Sequence, residues 1–229
     1  IMLEEAWVGD CAGIVLPDAE VAIAEPGGAR RRGELLFTHR GISGPAALDL
    51  SGDVAAALLL RGEVPLAVDL APGTSREAWA RRCEEWRSTA GRTRVRTMLG
   101  ATMPRALAER VTAVAGLDRD AACAHITRES RARLAGAIAA LPLTAVGTEG
   151  FEKAMATRGG VALRDVDART LSSRVVRGLF FAGEVLDVDG PCGGWNLQWA
   201  FASGRLAGIE AARWVASGGS FAYDGDGVS

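Results

Sequence analysis

The sequence is poor in histidine and cysteine, and it has no long apolar run. Of its 229 residues only two are histidines, His39 and His125, and four are cysteines. No two cysteines form a C-x-x-C pair, so we expect no zinc or other metal site. No stretch of about 18 apolar residues occurs, so we expect neither a membrane-spanning helix nor a membrane partner. The first ten residues lack the basic and apolar regions of a secretory signal.

The composition is that of a globular protein without a strong charge of either sign. Hydrophobic residues make up 48% of the chain, and the formal net charge is -2. Because the chain has no net basic charge, we expect no nucleic-acid partner. Four scattered thiols indicate a reducing cytoplasm. The chain begins at Ile1 and runs directly into strand-like sequence, which suggests a piece of a longer protein.

The residue patterns divide the chain into successive regions. Residues 1–72 contain short apolar runs separated by turn signals, and residues 64–70 alternate as a strand does. These patterns predict a small antiparallel sheet or barrel. Residues 73–140 have helical spacings and predict a helical insertion. Residues 141–152 are strand-like and predict a return to the barrel. The segment 153–216 follows, and then a tail, 217–229, which is rich in Gly, Ser and Asp and is expected to be disordered.

Capping signals predict three helices in the middle region. Thr74 and Glu77 form a capping box, in which Thr74 is the cap. Pro104 fits the first turn of a second helix, and Thr127 caps a third. We expect three sets of apolar positions to form the buried faces of these helices: Trp79, Cys83 and Trp86; Leu107, Val111 and Val114; Leu134, Ile138 and Leu141.

The most informative stretch is an apolar run followed by an acid and a glycine-rich loop. Leu179–Ala182 predicts a buried parallel strand that presents Gly183 and Glu184 at its carboxyl edge, where open α/β sheets bind ligands. The pair Gly193-Gly194 then precedes a long helix from Trp195, whose free N–H groups suit an anion. The alternative is a glycine loop and a helix that close a sheet without any ligand.

Other patterns in the same region are weaker. Residues 159–163 predict a further strand. Ala200, Gly204 and Gly208 recur every four residues along the long helix and predict a smooth face that packs close to a sheet. Cys192 precedes the helix N-terminus, where a thiolate would be stabilised. Because no second cysteine is near it in sequence, we expect an idle thiol.

Three segments resemble the NAD(P)/FAD-dependent oxidoreductases of the aminoacetone-oxidase-like (HI0933-like) flavoprotein family. They are residues 33–45 (GELLFTHRGISGP), 151–161 (FEKAMATRGGV) and 178–208. The third segment contains GEVLDVDGPCGGWNLQ. Residues 103–117 are similar to the family as well, so the resemblance covers nearly the whole chain up to the tail. It implies an α/β fold in which the C-terminal part of a two-part, Rossmann-like FAD-binding domain accompanies an inserted β-barrel and helical subdomain.

The resemblance also implies a set of contacts with FAD. Gly183 and Glu184 would lie at the ribityl side of the cofactor, and Asp189 and Gly190 in the loop that follows. The other implied contacts are Gly194, Trp195, Asn196 and Leu197 at the isoalloxazine edge, and Thr157, Gly159 and Gly160 near the flavin. In the family the flavin carries the redox step. Hydride would pass between flavin and a small organic substrate such as an amine or enone, and O2 or NAD(P)H would complete the cycle.

One element of the family pattern is missing from the sequence. No G-x-G-x-x-G occurs, the fingerprint that holds the pyrophosphate of a dinucleotide. The resemblance therefore implies a missing N-terminal half. A second interpretation stays open, in which the chain is a catalytically silent fragment, or half of a split flavoprotein that needs a Rossmann partner.

His39 is the candidate catalytic residue because it is the histidine that lies in a family motif. An imidazole facing the flavin could move protons during redox chemistry. The alternative is a histidine that is hydrogen-bonded where the barrel joins the FAD domain. Nearby, Ser43 and Pro45 predict a helix start, with Ser43 as the cap and Pro45 in the first turn.

Overall fold

The computed structural model describes residues 1–219, and the chain divides into two compact units. Unit 1 is Ile1–Glu149 and unit 2 is Gly150–Ser229. Most of the tail that we expected to be disordered, residues 220–229, lies outside the described residues. None of the helices within residues 1–219 is both long enough and apolar enough to cross a membrane.

Six strands and five α-helices make up the described structure of unit 1. In chain order they are β1 (Met2–Leu3), β2 (Val15–Ile23), β3 (Arg30–Thr38), β4 (Gly41–Ser43), α1 (Pro45–Arg61), β5 (Val64–Asp69), α2 (Arg76–Thr89), α3 (Val95–Leu99), α4 (Arg105–Val114), α5 (Arg128–Ala139) and β6 (Leu141–Gly147). In unit 2 the described residues contain one α-helix, α6 (Trp195–Ala216).

The six strands form a closed antiparallel barrel in the order β1-β4-β3-β2-β5-β6, and β6 pairs with β1 to close it. In β5, Val64, Leu66 and Val68 are buried while Pro65 is exposed. This alternation directs every second side chain into the barrel, as the sequence pattern predicts. Leu141, which we expected on the last helix of the insertion, instead begins β6 and pairs with Val68.

Helix α1 packs against the barrel through the buried residues Ala46, Ala47, Leu50 and Val54. The prediction that Ser43 caps this helix is wrong. Gly44 is the N-cap with a left-handed φ of 88°, and no side chain caps it. A Cβ on Gly44 would come within 2.8 Å of the Glu34 carbonyl oxygen, so the turn requires glycine. Pro45 takes the first helical position, as predicted.

Helices α2 to α5 form the helical subdomain. Ser75 caps α2 in place of the predicted Thr74, since its hydroxyl accepts from the Ala78 N–H at 3.2 Å. Thr127 caps α5, as predicted. Val114 is the predicted face position that is not buried, at 38% exposure, and Leu141 is buried but belongs to β6. The positions that are buried on the helices, as predicted, are Trp79, Cys83, Trp86, Leu107, Val111, Leu134 and Ile138.

A cluster of ion pairs joins α3 to α4. The Arg96 side chain, 10% exposed, lies 2.6 Å from Glu109 and 3.0 Å from Asp120. Arg105 and Arg119 approach the same Glu109 carboxylate at 3.2 and 2.9 Å. Partial burial acts to raise the pKa of Glu109, but hydrogen bonds from three arginines outweigh it and lower the pKa to about 2. The carboxylate therefore stays charged at any moderate pH.

Unit 2 is held together by isolated bridges and one helix. No strand forms within residues 150–219, so the predicted buried strand over 179–182 is wrong. Phe180 makes only an isolated antiparallel bridge. The strand predicted over 159–163 is likewise reduced to one parallel bridge, between Val161 and Leu186. A buried strand needs neighbours that satisfy its N–H and C=O groups along its whole length, and residues 150–219 supply only the bridge to Ser172 and the bonds to Leu171 and Ser173 beside it.

Helix α6 buries little of its surface. Only Ser203 and Ala207 are buried. An added Cβ on Gly204 or Gly208 would find nothing within 4 Å, so the smooth face that we expected to pack on a sheet is open within the described residues. Phe201 is 73% exposed. The core of unit 2 consists of four buried residues: Val166, Leu171, Leu186 and Ala207.

Candidate functional site

The turn that carries Gly183 and Glu184 is fastened to α6. The Gly183 N–H donates to Ser203 Oγ at 2.9 Å, and the Trp199 indole N–H donates to the Gly183 carbonyl oxygen at 3.2 Å. Ser203 Oγ in turn donates to the Trp199 carbonyl oxygen at 2.6 Å. Gly183 has a left-handed φ of 71°, a conformation that favours glycine. These bonds fix the position of the Glu184 backbone relative to the first turns of the helix.

Glu184 connects this turn to the loop that precedes it in the sequence. Its carboxylate accepts the N–H of Thr157 at 2.5 Å. Next to this contact, the Val161 N–H donates to the Val185 carbonyl oxygen at 2.8 Å. A Cβ on Gly160 would collide with that same carbonyl oxygen, so the two segments can approach only because residue 160 is glycine.

Asn196 holds the loop in front of the helix. Its Oδ1 accepts the Gly190 N–H at 2.7 Å, and its Nδ2 donates to the Gly190 carbonyl oxygen at 3.1 Å. A Cβ on Gly190 would come 3.0 Å from the Trp195 Cβ and 3.3 Å from Asn196 Oδ1. The side chain that we expected at the flavin edge is therefore engaged in positioning the loop.

The N-terminus of α6 is open to an approaching group. Its N-cap, Gly194, has a left-handed φ of 93°, and no side chain caps the helix. An added Cβ on Gly193 or Gly194 would find nothing within 4 Å. Two glycines before an uncapped 22-residue helix expose backbone N–H groups and the positive end of the helix dipole.

Four of the predicted cofactor-binding residues line one hollow in unit 2: Thr157, Glu184, Asn196 and Leu197. Its volume is about 150 Å³. Cofactor and ligand pockets usually measure roughly 300–1,000 Å³, so this hollow accommodates part of a flavin at most. A larger hollow of about 430 Å³ lies near the C-terminal end of α6 but contains none of the predicted residues. The smaller hollow is the better candidate because it gathers four of the residues that the sequence predicted.

The remaining predicted contacts lie outside this hollow. Asp189 lies 3.9 Å from Arg158 in a half-exposed ion pair. Trp195 is 62% exposed on the first turn of α6. Gly159, with a left-handed φ of 98°, belongs to the loop that leads to Gly160. These residues border the hollow in sequence, but the structure does not gather them into it.

Comparison with known proteins identifies the family. A family model described as "HI0933-like protein barrel and H2TH domain" matches residues 1–156. The chain belongs to this family. The match includes the whole closed barrel and helices α2 to α5, so unit 1 is consistent with the barrel and H2TH domain that the family model describes.

Curated relatives extend the likeness into unit 2. A ribosomal RNA dihydrouridine synthase of Haemophilus influenzae is 33% identical over 202 residues, which are 88% of this chain and 47% of the relative. The protein of the same name from Escherichia coli is 34% identical over the same shares. A 3-dehydro-bile acid delta(4,6)-reductase of Clostridium scindens is 32% identical over 184 residues, or 80% and 45%. The chain thus spans about half the length of the curated relatives it matches.

In this HI0933-like chain His39 belongs to a different unit from the other predicted site residues. It is exposed in the turn between β3 and β4 of unit 1, whereas all the predicted cofactor contacts belong to unit 2. A Cβ on Gly9 would come 3.2 Å from the His39 carbonyl oxygen, so the backbone of the turn is closely packed. The catalytic role of His39 stays a prediction.

Two residues that organise the site, Ser203 and Trp199, are not among the contacts predicted from the sequence. Ser203 is 2% exposed and bonds to the backbone of both Gly183 and Trp199. A serine amid small and apolar residues on a helix was the available signal, since a buried hydroxyl needs a partner.

Proposed function

We propose that this chain forms one wall of the flavin site in an FAD-dependent reductase of the HI0933-like family. The substrate would carry a carbon–carbon double bond conjugated to a carbonyl group. The observation that carries the proposal is the hollow of unit 2, where Thr157, Glu184, Asn196 and Leu197 meet beside the open N-terminus of α6. The resemblance of this segment to the FAD-facing segment of flavoproteins supports the same conclusion.

The names of the relatives support the choice of an enone-like substrate over an amine. A dihydrouridine synthase saturates the double bond of uracil, which is conjugated to a carbonyl group. A delta(4,6)-reductase of a 3-dehydro bile acid reduces double bonds conjugated to the 3-oxo group. Both reactions add a hydride and a proton across an activated double bond. We infer the same reaction class for this protein, with NAD(P)H as the source of the hydride.

The residues of the hollow suit an isoalloxazine edge and the first part of the ribityl chain. FAD, when bound, supplies the two-electron redox centre. The uncapped N–H groups of α6 would stabilise negative charge at the pyrimidine edge and so favour the reduced cofactor. Glu184, which uses part of its acceptor capacity on Thr157, has lone pairs left for ribityl hydroxyls. Asn196 would act indirectly by holding the loop at Gly190.

The rest of the cofactor site would come from sequence beyond these 229 residues. The hollow is too small for a whole flavin, and the chain has no G-x-G-x-x-G for the pyrophosphate. Helix α6 exposes Trp195, Leu197 and Phe201, and within residues 1–219 nothing lies within 4 Å of a Cβ added to Gly204 or Gly208. We propose that the remaining half of a Rossmann-like FAD domain packs on this face. A catalytically silent fragment, or one half of a split flavoprotein, is the alternative.

FAD titration of the purified chain tests the proposal. We expect weak, saturable binding, followed by quenching of flavin fluorescence, that is lost when excess FAD is removed. Gly194→Val should weaken binding because its side chain would occupy the approach to the α6 N–H groups. Glu184→Gln should weaken it by removing the charged acceptor. Glu210→Gln, at the other end of α6, serves as the control and should leave binding unchanged.

Two outcomes of this titration would count against the proposal. No saturable FAD signal at any concentration would mean that unit 2 does not contact the cofactor. Equal affinity in all three variants and the parent chain would mean that FAD binds elsewhere.

A second experiment tests the reaction class. A complex of the chain with dithionite-reduced FAD is mixed anaerobically with a 3-oxo-4,6-diene steroid or with a uridine-containing RNA. Reoxidation of the flavin absorbance by either compound would support the reaction class.

A further inference from the structure

The larger hollow of unit 2 takes no part in the proposed flavin site. Its volume is about 430 Å³, within the range of roughly 300–1,000 Å³ that small-molecule pockets usually have. This C-terminal hollow lies between residues 170–180 and residues 210–217 at the end of α6. Trp214 on its wall is about 30 Å along the helix from Trp195, given a rise of about 1.5 Å per residue. The hollow is therefore separate from the open N-terminus of α6, where the flavin would bind.

The C-terminal hollow lies on the inner side of α6. Glu210 and Trp214 line it, and helical spacing places them on the same face as Ser203, which is 2% exposed. Each residue turns the helix by about 100°, so Phe201 and Gly208 point about 140–160° away from that face. They belong to the exposed face where the rest of the FAD domain would pack, so the hollow is not part of that interface.

A strained residue shapes one wall of the hollow. Within residues 1–219, Leu171 is the one residue other than glycine with a left-handed φ, which is 58°. This conformation is unfavourable for a leucine, and two backbone bonds hold it. The Leu171 N–H donates to the Asp167 carbonyl oxygen at 2.7 Å, and the Phe181 N–H donates to the Leu171 carbonyl oxygen at 2.9 Å. On either side of the buried leucine, Thr170 and Ser172 line the hollow with hydroxyl groups 2.8 Å apart. Strain of this kind is concentrated at functional sites.

The polar groups of the hollow are mostly donors. Ser173 Oγ accepts two backbone N–H groups, the nearer from Val176 at 2.9 Å, and within residues 1–219 its own hydroxyl hydrogen has no acceptor. Arg177 is exposed and makes neither a salt bridge nor a hydrogen bond within the same residues. Arg213 uses one nitrogen on Glu210 at 2.6 Å. Two arginines against one acid leave a positive charge and spare donors, which suit a phosphate group.

Two aromatic side chains complete the lining of the hollow. Phe180 and Trp214 both line it, and both are half-buried. Aromatic rings pack favourably against another ring, either offset-stacked or edge to face. A phosphate alone would leave these two rings in contact with water. A ligand that carries both a ring and a phosphate would use the rings and the arginines together.

We propose that the C-terminal hollow binds a small phosphate monoester that carries a planar ring. The phosphate lies at Arg177 and Arg213, and the ring lies against Phe180 and Trp214. A monoester carries about two negative charges near pH 7, which match the two arginines. FAD is not such a ligand, because both of its phosphates are diesters. The site is thus independent of the proposed flavin site.

Isothermal titration calorimetry with AMP tests the site on the full 229-residue chain. We expect one AMP to bind per chain, and no binding to the folded chain would overturn the proposal. Adenosine and inorganic phosphate should each bind at least about tenfold more weakly, because each keeps only one of the two kinds of contact. Adenosine binding as tightly as AMP would show that the arginines do not hold a phosphate. Inorganic phosphate binding as tightly would show that the rings take no part. Either result would overturn the proposal.

Two matched variants separate a defined site from general attraction. Arg177→Gln should raise the Kd for AMP at least about tenfold by removing charged donors. Arg205→Gln removes another exposed arginine of unit 2, from the opposite face of α6, and changes the net charge equally. Its Kd should stay within about twofold of the parent value, because an exposed charge outside the hollow is screened. Equal losses in the two variants, with melting curves like that of the parent chain, would overturn the proposal.

The indole N–H of Trp214 gives a second readout at the hollow itself. The chain has six tryptophans, and Trp214→Phe identifies the Trp214 peak in a 1H–15N spectrum. AMP should shift this peak more than the other five. A shift confined to other indoles would place AMP elsewhere and overturn the proposal.

Competition with FAD keeps the two proposals apart. FAD should not displace AMP, and Arg177→Gln should leave the FAD titration unchanged. Displacement of AMP by FAD would show that the hollow does not require a monoester, and would overturn the proposal. The AMP titration needs no flavin, so its failure is distinct from a failure of FAD binding.

Discussion

Unit 1 and unit 2 differ in how much of their apolar surface they bury on their own. The hydrophobic core of unit 1 gathers 36 buried residues, while that of unit 2, within residues 150–219, gathers four. Unit 1 closes its barrel and leaves no strand edge unpaired. Unit 2 has a 22-residue helix with exposed tryptophan, leucine and phenylalanine side chains. The comparison teaches that unit 1 has the interior of an independent domain, while unit 2 has the surface of an interface.

The same contrast holds for polar groups. In unit 1 charged side chains form a dense cluster around Glu109, which links helices to each other. In unit 2 two groups of hydrogen bonds fasten the Gly183 turn and the Gly190 loop, where the candidate site lies. The polar contacts around Glu109 therefore stabilise the packing of helices, and those at the candidate site shape a surface.

The largest difference between the units should appear when a large aromatic side chain is removed from each of them. Trp79 is 1% exposed and packs edge-on against Trp86 at 6.5 Å, whereas Phe201 is 73% exposed. Trp79→Ala should lower the free energy of unfolding by about 3–5 kcal/mol, the usual cost of emptying a large core site. Phe201→Ala should cost less than about 0.5 kcal/mol. Urea denaturation followed by circular dichroism measures both.

A large cost for Phe201→Ala would break the comparison. It would mean that the exposed face of α6 is covered in solution by another part of the protein or by a second copy. Repeating the measurement across a range of protein concentrations would separate these cases, because only association depends on concentration.

The ion cluster of unit 1 should give a smaller effect that depends on pH. The pKa of Glu109 is lowered from 4.5 to about 2 in the folded chain. Its stabilisation is therefore complete above about pH 4.5 and is lost as the pH falls toward about 2. Glu109→Gln should lower Tm by roughly 5 °C near pH 7, and the difference should vanish near pH 2.

Thermal melts at constant ionic strength measure this difference, and Glu85→Gln is the control. Glu85 is an exposed acid on α2, so its substitution should leave Tm unchanged at every pH. A constant difference between the Glu109→Gln variant and the parent chain down to about pH 2 would show that the lost interaction is not the charged cluster.

Thiol labelling should separate the two units by the accessibility of their cysteines, and its effect on stability should be the smallest of the three tests. Cys11, Cys83 and Cys123 of unit 1 are buried, and Cys192 of unit 2 is exposed. Burial raises the pKa of Cys83 to about 12, with a further contribution from nearby Cys123. We expect a thiol reagent to modify one cysteine rapidly, and Cys192→Ser to abolish that fast phase. A second fast thiol in the native chain would mean that unit 1 opens readily.

The success of sequence-based prediction also follows the division into units. The alternating burial of β5, the faces of α2 and α5 and the cap at Thr127 depend on neighbours close in sequence, and they were predicted. The prediction of a cap at Ser43 was wrong because Gly44 is the N-cap. Gly44 has a left-handed φ and lies against the Glu34 carbonyl oxygen, a contact between strands that the local sequence does not reveal. The strand over 179–182 was wrong because an apolar run becomes a strand only when other strands lie beside it.

The candidate site was predicted in part for the same reason. Thr157, Glu184, Asn196 and Leu197 were singled out through their resemblance to a flavoprotein segment, and they do line one hollow. The roles of Ser203 and Trp199 could not be foreseen, because their bonds to Gly183 join residues 16 to 20 positions apart. The sequence also did not distinguish Gly160, which packs against the Val185 carbonyl oxygen, from Gly194, which has no atom within 4 Å of an added Cβ.

The sequence by itself determined the family and the periodic burial of the barrel and helices. These features depend on residue type and short spacing, which the chain carries whether or not it is folded. Only the tertiary structure decided that the barrel closes through β6, that Glu109 is held by three arginines, and that α6 leaves its apolar face open. Such features arise from contacts between residues far apart in sequence, and their energies exist only when the chain is folded.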